Sequence, residues 1–381
     1  MTEKLYYLDA YIKTFTATVV SVSSCNDNFS VVLDKTAFFP EEGGQSSDTG
    51  FIGIARVIDV KEDDGIITHI TDSSLNVGDV VECSIDFSER YEKMKCHTAE
   101  HILCGIMHDL YGAENIGFHL GDDLVTFDVS PVLCREDLDR VEDIANRIVA
   151  ENVNVTAYFP TSDELSSLEY RAKLDLTENV RIVSIGEYDK CACCAPHVKK
   201  TGEIGLIKML DYCKHRGGTR IYMVAGTRAL LDYRARYSIT QKISALTSTP
   251  QMEIVDAVKT IQTEKESQKA LLKERGFLIA RLYAEMIPET VGNVVRFFDS
   301  LDVEEVREFV NIAVQKVDGM VVAIFGEEKN YKFIIGSKTI DLRERVKGMT
   351  ASLGGRGGGR PEMVQGSFLC EKKDIEVYFS K

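Results

Sequence analysis

The sequence predicts a multidomain α+β protein, and three observations carry that expectation. Its 381 residues are enough for two or three domains at ~150 residues each. Hydrophobic residues make up 44% and charged residues 28%, the balance of an ordinary globular chain. The hydrophobic pattern also changes along the chain, from strand-like at the N-terminus to helical and then to mixed. No run approaches the ~18 to 20 apolar residues of a membrane helix, and the first six residues lack the basic-then-apolar layout of a signal peptide. A cytoplasmic protein with no membrane partner is therefore expected.

Residues 1–88 are expected to form a β-barrel. Short β-type runs at 15–20 and 29–33 are separated by clusters of Asn, Asp and Gly, the spacing of a small barrel or sandwich. From Glu89 the period becomes helical, with Met94, His97, His101 and Leu103-Cys104 leading to a stop at Gly112. Helices and strands then alternate to Tyr237, so 89–237 reads as one α+β domain. Segment 238–290 reads as a long helix. No proline interrupts the 37 residues between Pro250 and Pro288, and Ile254, Val258, Ile261, Leu272, Ile279, Leu282 and Met286 fall on an imperfect heptad seam. The last segment, 291–381, is expected to be a compact α/β domain, with a helix near 303–316 and strands at 320–325 and 332–335.

Two short patterns point to metal chemistry. In His97-Thr98-Ala99-Glu100-His101 the imidazoles stand at i and i+4, so a helix puts them on one face, a turn apart. In Cys193-Cys194-Ala195-Pro196-His197 a thiol and an imidazole share the same spacing. One thiolate with three imidazoles suits Zn²⁺ better than the oxygen-loving ions, and one zinc per chain is expected at His97, His101, Cys193 and His197. Ten cysteines are too sparse for a disulfide scaffold. Two alternatives stay open: Cys191 and Cys194 form a C-x-x-C that suits a redox pair. The pentad also fits H-x-x-E-H, an inverted zinc protease in which Glu100 is the base and a later carboxylate the third ligand.

The motifs, taken in order, carry a resemblance. Phe38-Phe39-Pro40-Glu41-Glu42-Gly43-Gly44-Gln45, then Asp48-Thr49-Gly50, His97-x-x-x-His101, Cys193-x-x-x-His197 and Gly218-Thr219-Arg220-Ile221 resemble the motif set of the freestanding alanyl-tRNA editing proteins, the AlaX family, and of the editing half of alanyl-tRNA synthetase. The tail Gly354-Gly355-Arg356-Gly357-Gly358-Gly359-Arg360-Pro361 with Gln365-Gly366 resembles the C-terminal domain that synthetase shares with the DHH phosphoesterases. One departure is visible: where the family often has Cys-Gly-Gly-Thr-His, this chain has Cys-Cys-Ala-Pro-His, with Pro196 in place of the threonine.

The resemblance implies a zinc-dependent deacylase that hydrolyses seryl or glycyl esters on mischarged alanine tRNA, acting in trans on tRNA charged elsewhere, and a homodimer through the C-terminal half. It also implies that the loop Gly43-Gly44-Gln45 faces the editing pocket and helps recognise the serine hydroxyl; a plain β-turn between barrel strands is the alternative. Such an activity is physically needed, because an alanine pocket cannot exclude glycine and discriminates weakly against serine. Four protein ligands make a closed tetrahedral site, whereas a catalytic zinc keeps a position open, so either a ligand such as Cys193 is loose or a fifth group enters. Glu100 is a candidate base, although it points ~100° away from its helical neighbours; its plain alternative is a surface carboxylate. A non-catalytic tRNA-binding module with structural zinc is the competing function outside enzymes.

The net charge of −15 at first argues against a nucleic-acid partner. Split along the chain, it does not. Residues 1–197 hold 15 basic and 36 acidic residues, but 198–237 hold nine basic against three acidic, and 343–373 seven against three. Arg216 and Arg220 in the first basic segment, and Arg356 and Arg360 within the glycine tract of the second, are the expected tRNA contacts. That tract lacks the Gly-Lys-Ser/Thr of a phosphate-binding loop, and a mobile glycine loop is its plain alternative.

Overall fold

The computed structural model describes residues 1–121, 123–172, 179–290 and 292–379. Residues 291, 380 and 381, at the limits of the expected C-terminal domain, lie outside them. The chain divides into two compact units, Met1–Thr240 and Gln241–Lys381.

The first unit begins with eight strands: β1 (Glu3–Lys4), β2 (Thr14–Cys25), β3 (Asn28–Leu33), β4 (Lys35–Thr36), β5 (Gly50–Ile52), β6 (Ala55–Asp63), β7 (Ile66–Thr71) and β8 (Val80–Ile85). β1 and β4 form a two-residue parallel ladder. The other six pair antiparallel in the order β2-β3-β7-β6-β5-β8, and β8 returns to β2, so the ring closes. Register shifts in β2 and β6 supply the local bends that closure needs. Alternate residues of these strands, among them Val19, Val31, Leu33, Val57, Ile67 and Cys83, fill the interior.

Helix α1 (Phe87–Tyr111) follows and ends where Gly112 takes the left-handed conformation, φ 62°. Every residue from Cys96 to Met107 is buried. A helix enclosed on all sides must find partners for its polar side chains, and this one carries His97, Thr98, Glu100 and His101. It packs with α2 (Arg135–Glu151) against an antiparallel sheet of β9 (Asn115–Leu120), β10 (Val125–Val129), β14 (Ile207–His215) and β15 (Gly218–Ala225), ordered β14-β15-β10-β9. A smaller antiparallel sheet holds β11 (Val155–Tyr158), β12 (Ile182–Ile185) and β13 (Asp189–Ala192). Ile182 stands opposite Ala192, so Cys193 leaves directly from the end of β13. α3 (Ser162–Ser167) lies between β11 and β12 in the chain, and α4 (Thr227–Thr247) follows β15.

The second unit contains α5 (Ile254–Glu285), β16 (Val294–Phe298), α6 (Val303–Ala313), β17 (Val321–Glu327), β18 (Asn330–Gly336), α7 (Leu342–Leu353), β19 (Gly355–Arg360), β20 (Met363–Phe368) and α8 (Lys372–Phe379). Its sheet runs β16-β17-β18-β20-β19, with β16 and β17 parallel. Apolar side chains of α5 and α6, including Ala280, Phe309 and Val310, cover one face; those of α7 and α8, including Val346 and Ile375, cover the other. Among the described residues no helix is long and apolar enough to cross a membrane.

One expectation changes, and one plain alternative is set aside. The helical segment is not continuous: α4 stops at Thr247, Ser248 has φ 51°, and α5 starts after a turn that follows Pro250. Within its unit α5 packs through Gly276, Ala280 and Ala284, while the heptad positions Val258, Ile261, Leu272, Ile279, Leu282 and Met286 remain exposed. Small residues win that contact because a Cβ on Gly276 would fall 1.9 Å from Glu305 Oε1, within the cap of α6. The glycine tract, second, is not a loop. It is the edge strand β19, paired along its length with β20, where a Cβ on Gly355 would lie 2.0 Å from the Ser367 carbonyl oxygen.

Candidate metal centre

His97 and His101 project from consecutive turns of α1, and Cys193 and His197 come from the segment after β13. One ligand atom from each lies within 4.8 Å of all the others, a set that could hold a metal ion. Cys193 Sγ is 3.7 Å from His97 Nε2 and 3.4 Å from His197 Nε2. The three imidazoles are held from behind. His97 Nδ1 meets Gln45 Oε1 at 2.9 Å, His101 Nδ1 meets Asp189 Oδ2 at 3.1 Å, and His197 Nδ1 meets Thr98 Oγ1 at 3.0 Å. The Thr98 hydroxyl already donates to the Met94 carbonyl at 2.7 Å, so it accepts from His197 Nδ1–H. Carbonyl and carboxylate oxygens do the same for the other two rings. Each ring thus keeps its proton on Nδ1 and turns the Nε2 lone pair toward a common centre, the usual arrangement of metal-binding histidines.

The supports are themselves anchored. Asp189 also receives a two-pronged ion pair from Arg171, at 2.8 and 3.0 Å. Arg181 Nη1 donates to the carbonyls of Cys193 and Ala195, at 2.9 and 2.8 Å, and so shapes the turn that carries two of the ligands. Burial would raise the Cys193 thiol, but the facing His97, His197 and His101 hold it well below its ordinary range. Burial pushes His197 down to about 3, so it stays neutral. Cys191 and Cys194 are pushed up by burial, which makes both poor thiolates.

The loop that supplies Gln45 is gripped by one face of α1. Arg90 pairs with Asp48 and donates to the Ala37 carbonyl at 2.7 Å, Lys93 donates to the Ser47 carbonyl at 2.7 Å, and His97 meets Gln45. Positions 90, 93 and 97 lie one above another on a helix, matching loop residues 48, 47 and 45 in order. Gly44 lets the loop lie flat against β9: at φ 84°, its Cβ would fall 2.4 Å from the Phe118 carbonyl oxygen. Gln45 is fully buried against His97, and its Nε2 has no partner among the described residues. Its amide therefore orients a member of the cluster, a role its sequence context did not suggest, while Gly43 and Glu42 form part of the adjoining cavity wall.

That cavity has a volume of about 420 Å³. His97, His101 and Cys193 line it, as do Glu100, Asn115 and Arg171. Glu100 is no surface carboxylate: it is 3% exposed, and its Oε1 accepts from Asn115 and from the Cys104 thiol. Three residues after His97, it shares enough of that helix face to reach the same space. The inverted-protease pattern calls for a carboxylate as third ligand, and here Cys193 and His197 complete the cluster instead. The expected tRNA contacts lie apart from the cavity lining. Arg216 is exposed in the turn between β14 and β15, with φ 47°. Arg220 forms a two-pronged pair with Asp128 at 2.7 and 2.8 Å. Arg356 and Arg360 belong to the second unit, exposed on edge strand β19. Asp189, Thr98, Arg171 and Arg181 escaped notice in the sequence, because only their contacts mark them.

Comparison with known proteins agrees with this layout. The model of the threonyl and alanyl tRNA synthetase second additional domain matches residues 180–222, the stretch that holds Cys193, His197 and Arg220. The class II (A) tRNA synthetase model matches 3–89, and the DHHA1 domain matches 290–374. The alanyl-tRNA editing protein AlaX-L of Pyrococcus horikoshii is 27% identical over 399 residues, covering 98% of this chain and 96% of its own. The chain is thus similar to an alanyl-tRNA editing protein over nearly the whole length of both. Alanine–tRNA ligases resemble this chain too: that of Ignicoccus hospitalis is 28% identical over 99% of it, and that of Natronomonas pharaonis 30% over 96%. The chain spans 42% of the length of each ligase. A solved structure, the C-Ala domain from Aquifex aeolicus alanyl-tRNA synthetase, covers 25% of this chain and 96% of its own at 22% identity, with a TM-score of 0.22 too low to carry structural weight.

Proposed function

We propose that this chain hydrolyses the ester of wrongly charged alanine tRNA, a seryl or glycyl group on the terminal ribose, acting in trans in the cytoplasm with one zinc ion at His97, His101, Cys193 and His197. The observation that carries the proposal is a buried cluster of one thiol and three imidazoles, three of whose members open onto a cavity of about 420 Å³. Likeness to AlaX-L over nearly its whole length supports the substrate. The donors suit zinc. Separations of 3.4 and 3.7 Å between sulfur and nitrogen match the edges of a tetrahedron with bonds of ~2.0 to 2.3 Å. A zinc ion bound there supplies Lewis acidity toward an ester carbonyl, or a lowered pKa for water.

The chain's own residues bind, orient and move the proton. Gln45, Asp189 and Thr98 fix the three imidazoles. Glu42, Glu100 and Glu114 give the cavity an acidic lining suited to the ammonium group of an aminoacyl ester. The hydrogen bonds on Glu100 both engage Oε1, leaving Oε2 to take a proton from water entering the cavity. Exposure of Arg216, Arg356 and Arg360 supports a role for them on tRNA phosphates, whereas Arg220 is committed to Asp128. The exposed apolar positions of α5 suit a homodimer through the C-terminal half, which the mass of the protein in solution would check.

Incubation with seryl-, glycyl- and alanyl-tRNA of the alanine family is expected to release serine and glycine and to spare alanine. Binding without turnover of any of the three would sink the proposal. In that assay Glu100→Gln is expected to keep its zinc and to lose about 10²- to 10⁴-fold in kcat, and an unchanged kcat removes Glu100 from the proton path. Gln45→Ala should weaken zinc binding about 10- to 100-fold, read by competition with a chelator, because His97 loses the oxygen that fixes its tautomer.

A further inference from the structure

The cavity is larger than the group it is proposed to process. At about 420 Å³ it falls in the range that encloses a whole drug-sized ligand, roughly 300 to 1,000 Å³, several times what a seryl or glycyl group fills. The ester joins the amino acid to the terminal ribose of tRNA, so whatever brings the ester to the cluster brings the terminal adenosine with it. One wall of the cavity offers that nucleoside a surface. Phe159 lines it while 51% exposed, and Tyr7 stands behind with its ring centre 5.4 Å away, edge-on at 72°. Tyr7 is held in turn by buried Tyr6, ring centres 4.7 Å apart, and by the guanidinium of buried Arg181 5.2 Å from its ring centre. A large apolar ring exposed to water on a cavity wall, yet braced against movement, is the usual form of a base-stacking platform.

We propose that Phe159, buttressed by Tyr7, is the stacking platform for the terminal adenine of the tRNA acceptor end. The inference rests on the proposed function and adds the part of the substrate that positions the ester. Charge does not supply that hold within the cavity. Arg171 is committed to Asp189, and Arg181 to the carbonyls of Cys193 and Ala195. Recognition at this wall therefore falls to the π-face, and its contribution should vary little with salt.

The chain has no tryptophan, so Phe159→Trp places a single indole at the platform of the full-length zinc-loaded protein. Titration with AMP is expected to quench its emission saturably, and titration with ribose 5-phosphate to leave it unchanged. In steady-state deacylation of seryl-tRNA, Phe159→Ala should raise KM about tenfold with kcat nearly unchanged, the usual worth of a stacked base, and Phe159→Trp should restore the KM. No quenching by AMP, or an unaltered KM in Phe159→Ala, overturns the platform. Quenching in a protein that hydrolyses no aminoacyl-tRNA keeps the platform and sinks the deacylase, so the two failures are told apart.

Discussion

Replacing His97 and His101 together with alanine should reduce bound zinc from one per chain to a trace and bring hydrolysis of seryl-tRNA to the background rate. Two of four ligands would be gone, and Cys193 with His197 alone offers a two-coordinate site where zinc needs four. Elemental analysis of the purified variant is the decisive measurement, with circular dichroism as the check that α1 persists. The outcome carries more than a test of ligation. A thiolate held by zinc is shielded from alkylation, so Cys193 of the metal-free variant should react faster with an alkylating reagent than Cys193 of the zinc-loaded protein. Full zinc content in the double variant would remove these residues from the site.

The second large effect is expected two turns of α1 before His97. Arg90 and Asp48 are 1% and 2% exposed, and their ion pair ties α1 to the loop before β5. Arg90→Met leaves the Asp48 carboxylate buried with only the Phe39 amide, at 2.6 Å, of its two partners. Breaking one side of a buried pair costs about 3 to 5 kcal/mol, so urea unfolding should show a loss of that size. The double variant Arg90→Met, Asp48→Asn should recover a good part of it, because no unpaired charge remains. The same grip positions Gln45 against His97, so the single variant is expected to bind zinc more weakly even where it is still folded. A loss below about 1 kcal/mol would mean that water reaches the pair and that the loop is held by other contacts.

The candidate site was partly legible in the sequence for a physical reason. Residues at i and i+4 on a helix meet whatever the tertiary fold, so His97 with His101 announces a ligand pair locally, and Cys193 with His197 repeats the spacing. Helix α1 was legible likewise, since its period and the Gly112 stop are local signals. Spacing left other positions open. Glu100 is a candidate base from the H-x-x-E-H spacing with a surface carboxylate as its alternative, and only the enclosure of α1 shows it buried. The exposed heptad of α5 looks like the packing seam by composition, yet contact within the unit falls to Gly276, Ala280 and Ala284, and at Gly276 the neighbouring helix brings Glu305 too close for any larger residue. Composition leaves a mobile loop open as an alternative for the glycine tract, and the pairing with β20 sets it in the edge of a sheet instead.

By itself, then, the sequence pointed to most of the helices and strands, to the four side chains that the structure gathers into one cluster, and to a likeness with the alanyl-tRNA editing proteins. All of these rest on local spacing or on motif order. Only the tertiary structure decided that Asp189, Thr98 and Gln45, which lie far from their imidazoles in sequence or point elsewhere by periodicity, turn three rings toward one point. It also decided that Arg171, Arg181 and Phe159 share a cavity with that cluster. Hydrogen bonds and stacking act over a few ångströms, and residues 50 to 100 positions apart come within that range only when the barrel, α1 and the strand β13 are packed together.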